Sequence, residues 1–307
     1  APWAGTCIDG GMDLSGEPTM TREPGIAILG LGLMGASLAL ALRKRGYAGR
    51  LVAFARKDAT RREALARGIV DEAFADPDAA VAAASLAVLC APIRACVELA
   101  ADVAPALRPG TLVTDVGSTK GWLCRQMAGV LPAGAFVGSH PIAGSEKQGL
   151  EAASADLYEN ALTVVAAAPD APAEAVERVT ALWRSAGSRT CRMEPEDHDR
   201  LLARTSHLPH VAAAALAKAI GRDCADQVGA FCGTGFYDST RVASGSIDMW
   251  HDILMTNAPA VAEELRAFKL EVERVYDDLQ AGRFGDVAQF LERARAARAE
   301  LLKGRGR

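Results

Sequence analysis

The chain has 307 residues, half of them hydrophobic and 23% charged, with a formal net charge of -4. That is an ordinary globular composition with length for two domains, and its slight acidity argues against nucleic acid or an anionic membrane as partner, so an anion must be held by a local site. The longest apolar run, 79–93, is too short to span a bilayer, and seven cysteines, an odd number without a CxxC pair, read as the reduced thiols of a cytoplasmic protein.

Residues 1–24 mix Gly, Pro, Thr and Asp without period and lack the basic start and apolar core of a signal peptide; they read as a disordered leader, with Met20 a candidate start. From Ile26 a buried strand runs into Gly30-Leu-Gly32-Leu33-Met34-Gly35, and an apolar helix follows that stops at Gly46. A GxGxxG turn is weak evidence alone and strong between a strand and a helix. Its first two glycines let a pyrophosphate approach the helix N-terminus, and the third lets helix and strand pack closely. The next strand, 50–55, ends at Ala55 where a carboxylate would meet the adenosine ribose of NAD, and Arg56 and Lys57 follow, with Arg61 and Arg62 beyond. A missing acid and adjacent cations favour NADP over NAD, because a guanidinium grips a 2'-phosphate through paired hydrogen bonds.

Strands and helices then alternate: helix 60–67, helix 77–84, strand 86–90 ending at Ala91-Pro92, helix 95–107, strand 111–116, the Gly117-Ser118-Thr119-Lys120 turn, a helix through 128, and a strand leading into His140. A loop and short helix to Tyr158, strand 162–166, a helix from Pro172 to 186 and strand 189–193 complete this half. The alternation predicts a doubly wound parallel sheet, a Rossmann-like domain over 25–194. Ligands of such sheets lie beyond the carboxyl ends of the strands, which places the glycine turn, Ala91, Pro92, Ser118 and His140 on one edge. Gly138-Ser-His140-Pro-Ile-Ala-Gly-Ser145-Glu146-Lys-Gln-Gly149 is the densest collection of chemistry in the chain. A histidine at the open end of a strand is a natural proton acceptor, since its free pKa lies nearest neutrality.

After Pro195 strand-like runs vanish, and helices are expected over 197–220, 227–232, 247–257, 259–280 and 284–302, an all-helical domain over 195–307. Pro209 must kink or unwind the first of them. His207 and His210 share a helical face, but no carboxylate or thiol stands at matching spacing and His198 is more than two turns away, so no metal is expected and the pair reads as core or substrate contact. Arg241, between a polar turn at Asp238 and an apolar stretch, is either an exposed charge or a clamp for a carboxylate, and Trp250 reads as a core or subunit-contact residue.

Together the glycine turn, Asp115-Val-Gly-Ser118-Thr-Lys, the His140 stretch, Ser206-His207-Leu-Pro-His210 and Thr240-Arg241-Val-Ala with Met249-Trp250 resemble the prephenate and arogenate dehydrogenase family of tyrosine biosynthesis, over about 26–280. The resemblance implies a Rossmann-like domain, a helical domain that forms a homodimer, and NAD(P)-dependent oxidative decarboxylation of a cyclohexadienol. It implies His140 as the catalytic base, Ser118 beside it, Ser145, Glu146, Ser206, His207 and His210 lining the substrate site, and Arg241 as carboxylate anchor, with His140 and Arg241 facing one cleft. Two other readings stay open: a 3-hydroxyacid or 6-phosphogluconate-type dehydrogenase, for which Lys218 is the one candidate lysine near the histidine pair, and a regulator that binds dinucleotide without turning it over.

Overall fold

The computed structural model describes residues 25–144, 147–222 and 225–303. The expected leader, Ser145 and Glu146 lie outside the described residues.

Five short apolar runs form one parallel sheet of order β3-β2-β1-β4-β5: β1 (Gly25–Leu29), β2 (Arg50–Phe54), β3 (Glu72–Phe74), β4 (Leu86–Leu89) and β5 (Leu112–Asp115). The crossovers are α1 (Leu33–Lys44), α2 (Asp58–Ala66), α3 (Pro77–Ala82) and α4 (Ile93–Val103), and α5 (Gly121–Val130) follows β5. Every residue of β1 and β4 is buried, as a sheet covered on both faces requires. Alternate residues of β1 serve the two sides: Ile26 and Ile28 pack with Leu38, Leu42, Val165 and Trp183, and Ala27 and Leu29 with Leu89, Val113, Leu123 and Met127.

His140 is not on that sheet. It lies in β6 (Gly138–Ile142), which starts a second, three-stranded sheet with β7 (Leu162–Ala166) and β8 (Arg189–Met193), α6 (Ala173–Ser185) joining the last two. β6 and β7 are antiparallel and β7 and β8 parallel. A parallel return needs a crossover, usually a helix, whereas the chain between β6 and β7 holds only a 3-10 turn, Leu150–Ala152, among its described residues, and so comes back antiparallel. The single parallel sheet expected from the alternation is therefore two, joined where 135–137 runs beside Val113.

The helical part begins with α7 (Pro195–Leu202), a π turn (Ala203–His207) and α8 (Leu208–Ile220). The π turn is the expected local unwinding: Pro209 has no N–H to give the preceding turn, and one wide turn absorbs the misfit. Then come α9 (Ala225–Gly229), α10 (Thr234–Thr240), a 3-10 turn (Arg241–Ser244), α11 (Ile247–Thr256), α12 (Ala258–Gln280) and α13 (Phe284–Lys303). Asp238 sits inside α10 rather than in a turn. By contact the chain forms two compact units, the second starting at Pro259, so that α7 to α11 belong to the first. The reason is physical: α7 is tied to α5 by side-chain hydrogen bonds, and Ile253 of α11 is buried in the apolar layer under β5 and α5.

Candidate active site

The glycine turn brings β1 close to α1 and leaves the helix N-terminus uncapped. Gly30 adopts φ 121°, and a Cβ there would lie 2.4 Å from the Cys90 carbonyl oxygen. A Cβ on Gly35 would lie 2.0 Å from the Gly30 carbonyl oxygen and 2.8 Å from Ile28 Cγ2, whereas one on Gly32 would meet nothing within 4 Å. Gly30 and Gly35 thus serve the packing of turn, strand and helix, and Gly32 leaves the space before α1 open. No side chain caps α1 and no acid stands in its first turn, so its N–H groups remain available to an anion. The Tyr158 hydroxyl donates to the Met34 carbonyl at 2.7 Å and fixes that first turn. Leu33 and Met34 are half-buried, and Ala91 and Pro92 lie beyond the end of the adjacent strand β4, Pro92 capping α4. These residues fit a dinucleotide. At the far side of the ribose position, Arg61 is occupied, its guanidinium donating to the carbonyls of Ala55 (2.7 Å) and Arg56 (2.9 Å) and to Asp58, while Arg56 and Lys57 are exposed and make no ion pair with a described residue.

His140 is the middle residue of β6, opposite Val164, and is buried rather than open to solvent at a strand end. Its Nδ1 lies 2.8 Å from His198 Nε2, whose ring meets it edge-on. His198 Nδ1 lies 2.9 Å from Asp199 Oδ1, and Asp199 accepts the backbone N–H of Lys120 at 2.7 Å and of Gly121 at 2.8 Å, at the start of α5. Beneath His140 the fully buried Lys120 ammonium pairs with Asp115 and donates to the Ser139 carbonyl at 2.8 Å, while Asp115 accepts the backbone N–H of Ser139 at 3.0 Å. The Ser139 hydroxyl is held by Asp115, Thr114 and the Trp183 indole. A strand, a loop and two helices therefore set one imidazole.

Burial first, and then the positive charge that His198, Lys120 and His207 would place beside it, hold His140 well below the usual imidazole range. His198 is lowered by burial against the opposing pull of Asp199. His140 is therefore a neutral acceptor at neutral pH.

On the helical side, His207 is lowered to about 4, chiefly by burial, and its Nδ1 lies 3.2 Å from the Asn257 amide, which donates to the Asp199 carbonyl at 2.8 Å. His210 stacks on Trp250 with ring centres 3.4 Å apart and hydrogen-bonds the backbone of Val242, the residue after Arg241, while its buried Nδ1 has no partner among the described residues. Arg241 is exposed, and its guanidinium makes no hydrogen bond or ion pair with a described residue. Ser206 lies half-buried in the π turn and Ser118 half-buried in the loop between β5 and α5. Trp250 is a partly buried residue of the layer that holds Ile253. Among the described residues no group of three or more His, Cys, Asp or Glu is placed to hold a metal. Sequence reasoning missed Lys120, Asp115, His198, Asp199 and Asn257, although Lys120 and Asp115 bracket the stretch that was singled out for Ser118.

A phosphate cradle on a parallel sheet, together with a buried neutral imidazole, defines a dinucleotide-dependent dehydrogenase. Residues 38–192 match the family model described as prephenate dehydrogenase, nucleotide-binding domain, and 194–293 the one described as prephenate dehydrogenase, dimerization domain. The chain is 33% identical to a cyclohexadienyl dehydrogenase of Zymomonas mobilis, over 83% of this chain and 88% of that protein, and 32% identical to a prephenate dehydrogenase of Bacillus subtilis, over 81% and 68%. Its fold matches the crystal structure of a prephenate dehydrogenase from A. aeolicus in complex with hydroxyphenyl propionate and NAD+ (TM-score 0.84, 29% identity, 90% of this chain and 98% of that one) and that of an arogenate dehydrogenase from Synechocystis (TM-score 0.78, 28% identity, 90% and 99%). The chain belongs to the prephenate dehydrogenase family.

Proposed function

We propose that the protein catalyses oxidative decarboxylation of prephenate, arogenate or both, giving 4-hydroxyphenylpyruvate or tyrosine. The observation that carries this reading is the buried neutral His140 in a chain of this family. When bound, NAD(P)+ supplies the hydride acceptor. His140 accepts the proton of the C4 hydroxyl as hydride leaves C4 and the ring carboxylate departs as CO2, and it returns that proton to the phenolic oxygen; the substrate's net loss is a hydride and CO2. Aromatisation drives the step, so the protein mainly positions the groups. On this reading Ser118 acts beside the reacting hydroxyl and Ser206, His207 and His210 line the substrate site, the partnerless Nδ1 of His210 being an acceptor for a substrate hydroxyl. The Arg241 guanidinium, without an acidic partner among the described residues, anchors a substrate carboxylate.

Exposed Arg56 and Lys57 after Ala55 favour NADP over NAD. The protein works as a homodimer through its C-terminal helices, whose apolar side chains Tyr276, Phe284 and Leu291 are each more than half exposed in a single chain. Five described cysteines are free thiols and no described helix is long and apolar enough to cross a membrane, in keeping with a cytoplasmic enzyme. Lys218 is exposed in the last turn of α8, two turns beyond His210, which disfavours the 3-hydroxyacid reading.

Initial rates with prephenate and arogenate, each with NAD+ and NADP+, test the proposal. Reduced cofactor that forms only on addition of one of these substrates supports it. Binding without turnover would make the chain a regulator, and turnover of 3-hydroxyacids alone would replace the substrate class. His140→Asn is expected to lower kcat by ~10²- to 10⁴-fold with cofactor affinity nearly unchanged.

A further inference from the structure

His198 and Asp199 have no part in the proposed reaction, yet they form an unbroken hydrogen-bonded line to its base. Asp199 accepts a backbone N–H on each carboxylate oxygen, from Lys120 and Gly121. An ionised carboxylate only accepts, so the proton in the contact with His198 belongs to His198 Nδ1. His198 is fully buried and neutral, and its Nε2 is then a lone-pair nitrogen. The 2.8 Å contact to His140 Nδ1 closes only if His140 carries its proton on Nδ1.

We propose that His198 and Asp199 are positioning residues that lock His140 in its Nδ1–H tautomer, so that Nε2 is the nitrogen that takes the substrate proton. The inference rests on His140 being the base of the proposed reaction, but the tautomer itself is independent of substrate. Both ring nitrogens of His198 are used inside the protein, so His198 acts through His140 and not on the substrate. As His140 gains a proton, the Nδ1–H bond to His198 and the fixed negative charge of Asp199 behind it stabilise the cation that forms. A neutral imidazole without this support could rotate its ring or present Nε2–H to the hydroxyl, and a base in the wrong tautomer is worth up to ~10⁴-fold less in turnover in a triad of the same logic.

Nitrogen-15 NMR of the histidine rings in the cofactor-free full-length protein reads the tautomer directly, and with five histidines in the chain single substitutions assign the signals. The expected result is a protonated Nδ1 and an unprotonated Nε2 on His140; the reverse overturns the proposal. In kinetics, His198→Phe removes the acceptor and is expected to lower kcat by at least ~10²-fold, with substrate KM and NAD(P)+ affinity within about twofold. His198→Gln, whose amide can accept from His140 and donate to Asp199, is expected to restore kcat to within about tenfold of the parent. Equal kcat in the Phe and Gln variants would mean that His198 only fills space, and would sink the idea. If His198→Phe fails to fold, the tautomer in the parent protein and the Gln variant decide. If neither prephenate nor arogenate is turned over by the parent protein, the functional reading fails while the NMR result still stands or falls alone.

Discussion

Lys120→Met isolates the ion pair beneath the base. Methionine has nearly the length of lysine without the charge, so the change leaves the fold's volume almost intact. It strips Asp115 of its cation and the Ser139 carbonyl of a 2.8 Å donor. Both charged side chains are wholly shielded from water, so solvent cannot replace the lost partner. Asp115 keeps the N–H groups of Gly117 and Ser139, which offset part of the penalty. Removing one member of a buried pair costs about 3–5 kcal/mol, which is about a fifth or more of the roughly 5–15 kcal/mol that hold a domain together. Urea unfolding followed by circular dichroism should therefore show the variant destabilised by that amount. Adding Asp115→Asn should recover part of the loss, because the stranded charge is then gone. Turnover should fall too, since Lys120 fixes the strand residue next to His140. A loss below about 1 kcal/mol would show that water or a neighbouring group reaches Asp115, and the account of how β6 is anchored would be wrong.

Gly35→Ala puts a methyl group 2.0 Å from the Gly30 carbonyl, forcing α1 off β1 at an overpacking cost of about 1–3 kcal/mol; calorimetry should show weakened NAD(P)+ binding, and parent-like affinity would remove the cradle from the cofactor site. Arg241→Ala should raise substrate KM by roughly tenfold or more, as expected for a lost charge-assisted bond of about 1.5–3 kcal/mol, with kcat little changed; an unaltered KM in steady-state kinetics would reassign the anchor. For acid stability, His207 sits at about 4 in the folded protein against 6.5 for the free side chain, so the unfolded chain binds more protons across that interval. Stability is then complete above pH 6.5 and falls by about 3 kcal/mol as pH drops to about 4, with His140 and His198 acting in the same direction. Urea midpoints at pH 7.5, 5.5 and 4 measure this, and a flat profile would mean that the histidines are already hydrated.

The nucleotide half was legible because its signals are local. A glycine that must adopt φ 121° or admit a carbonyl at its Cβ declares itself at that position, and all-buried strands such as β1 and β4 show as unbroken apolar runs. The direction of β6 was not legible, because it depends on there being no crossover helix among the described residues that follow, and apolar periodicity does not register an absence. α10 was lost for a related reason: Asp238, Ser239 and Thr240 favour turns in isolation, but the Thr240 hydroxyl finds the Phe236 carbonyl at 2.6 Å and the segment stays helical. The support of the base was hidden differently. His198 was weighed only against residues of its own helix, whereas its partner His140 is 58 residues away on a strand. Most polar residues enter a core together with their partners, and those partners are set by tertiary packing. A leucine at 198 would fill much of the same space without removing a polar ring from water, so stability alone gives no reason for a histidine there. What the imidazole supplies and leucine cannot is an acceptor aimed at Nδ1 of His140, and that acceptor carries force only because Asp199, pinned by two N–H groups at the start of α5, dictates which nitrogen of His198 bears the proton.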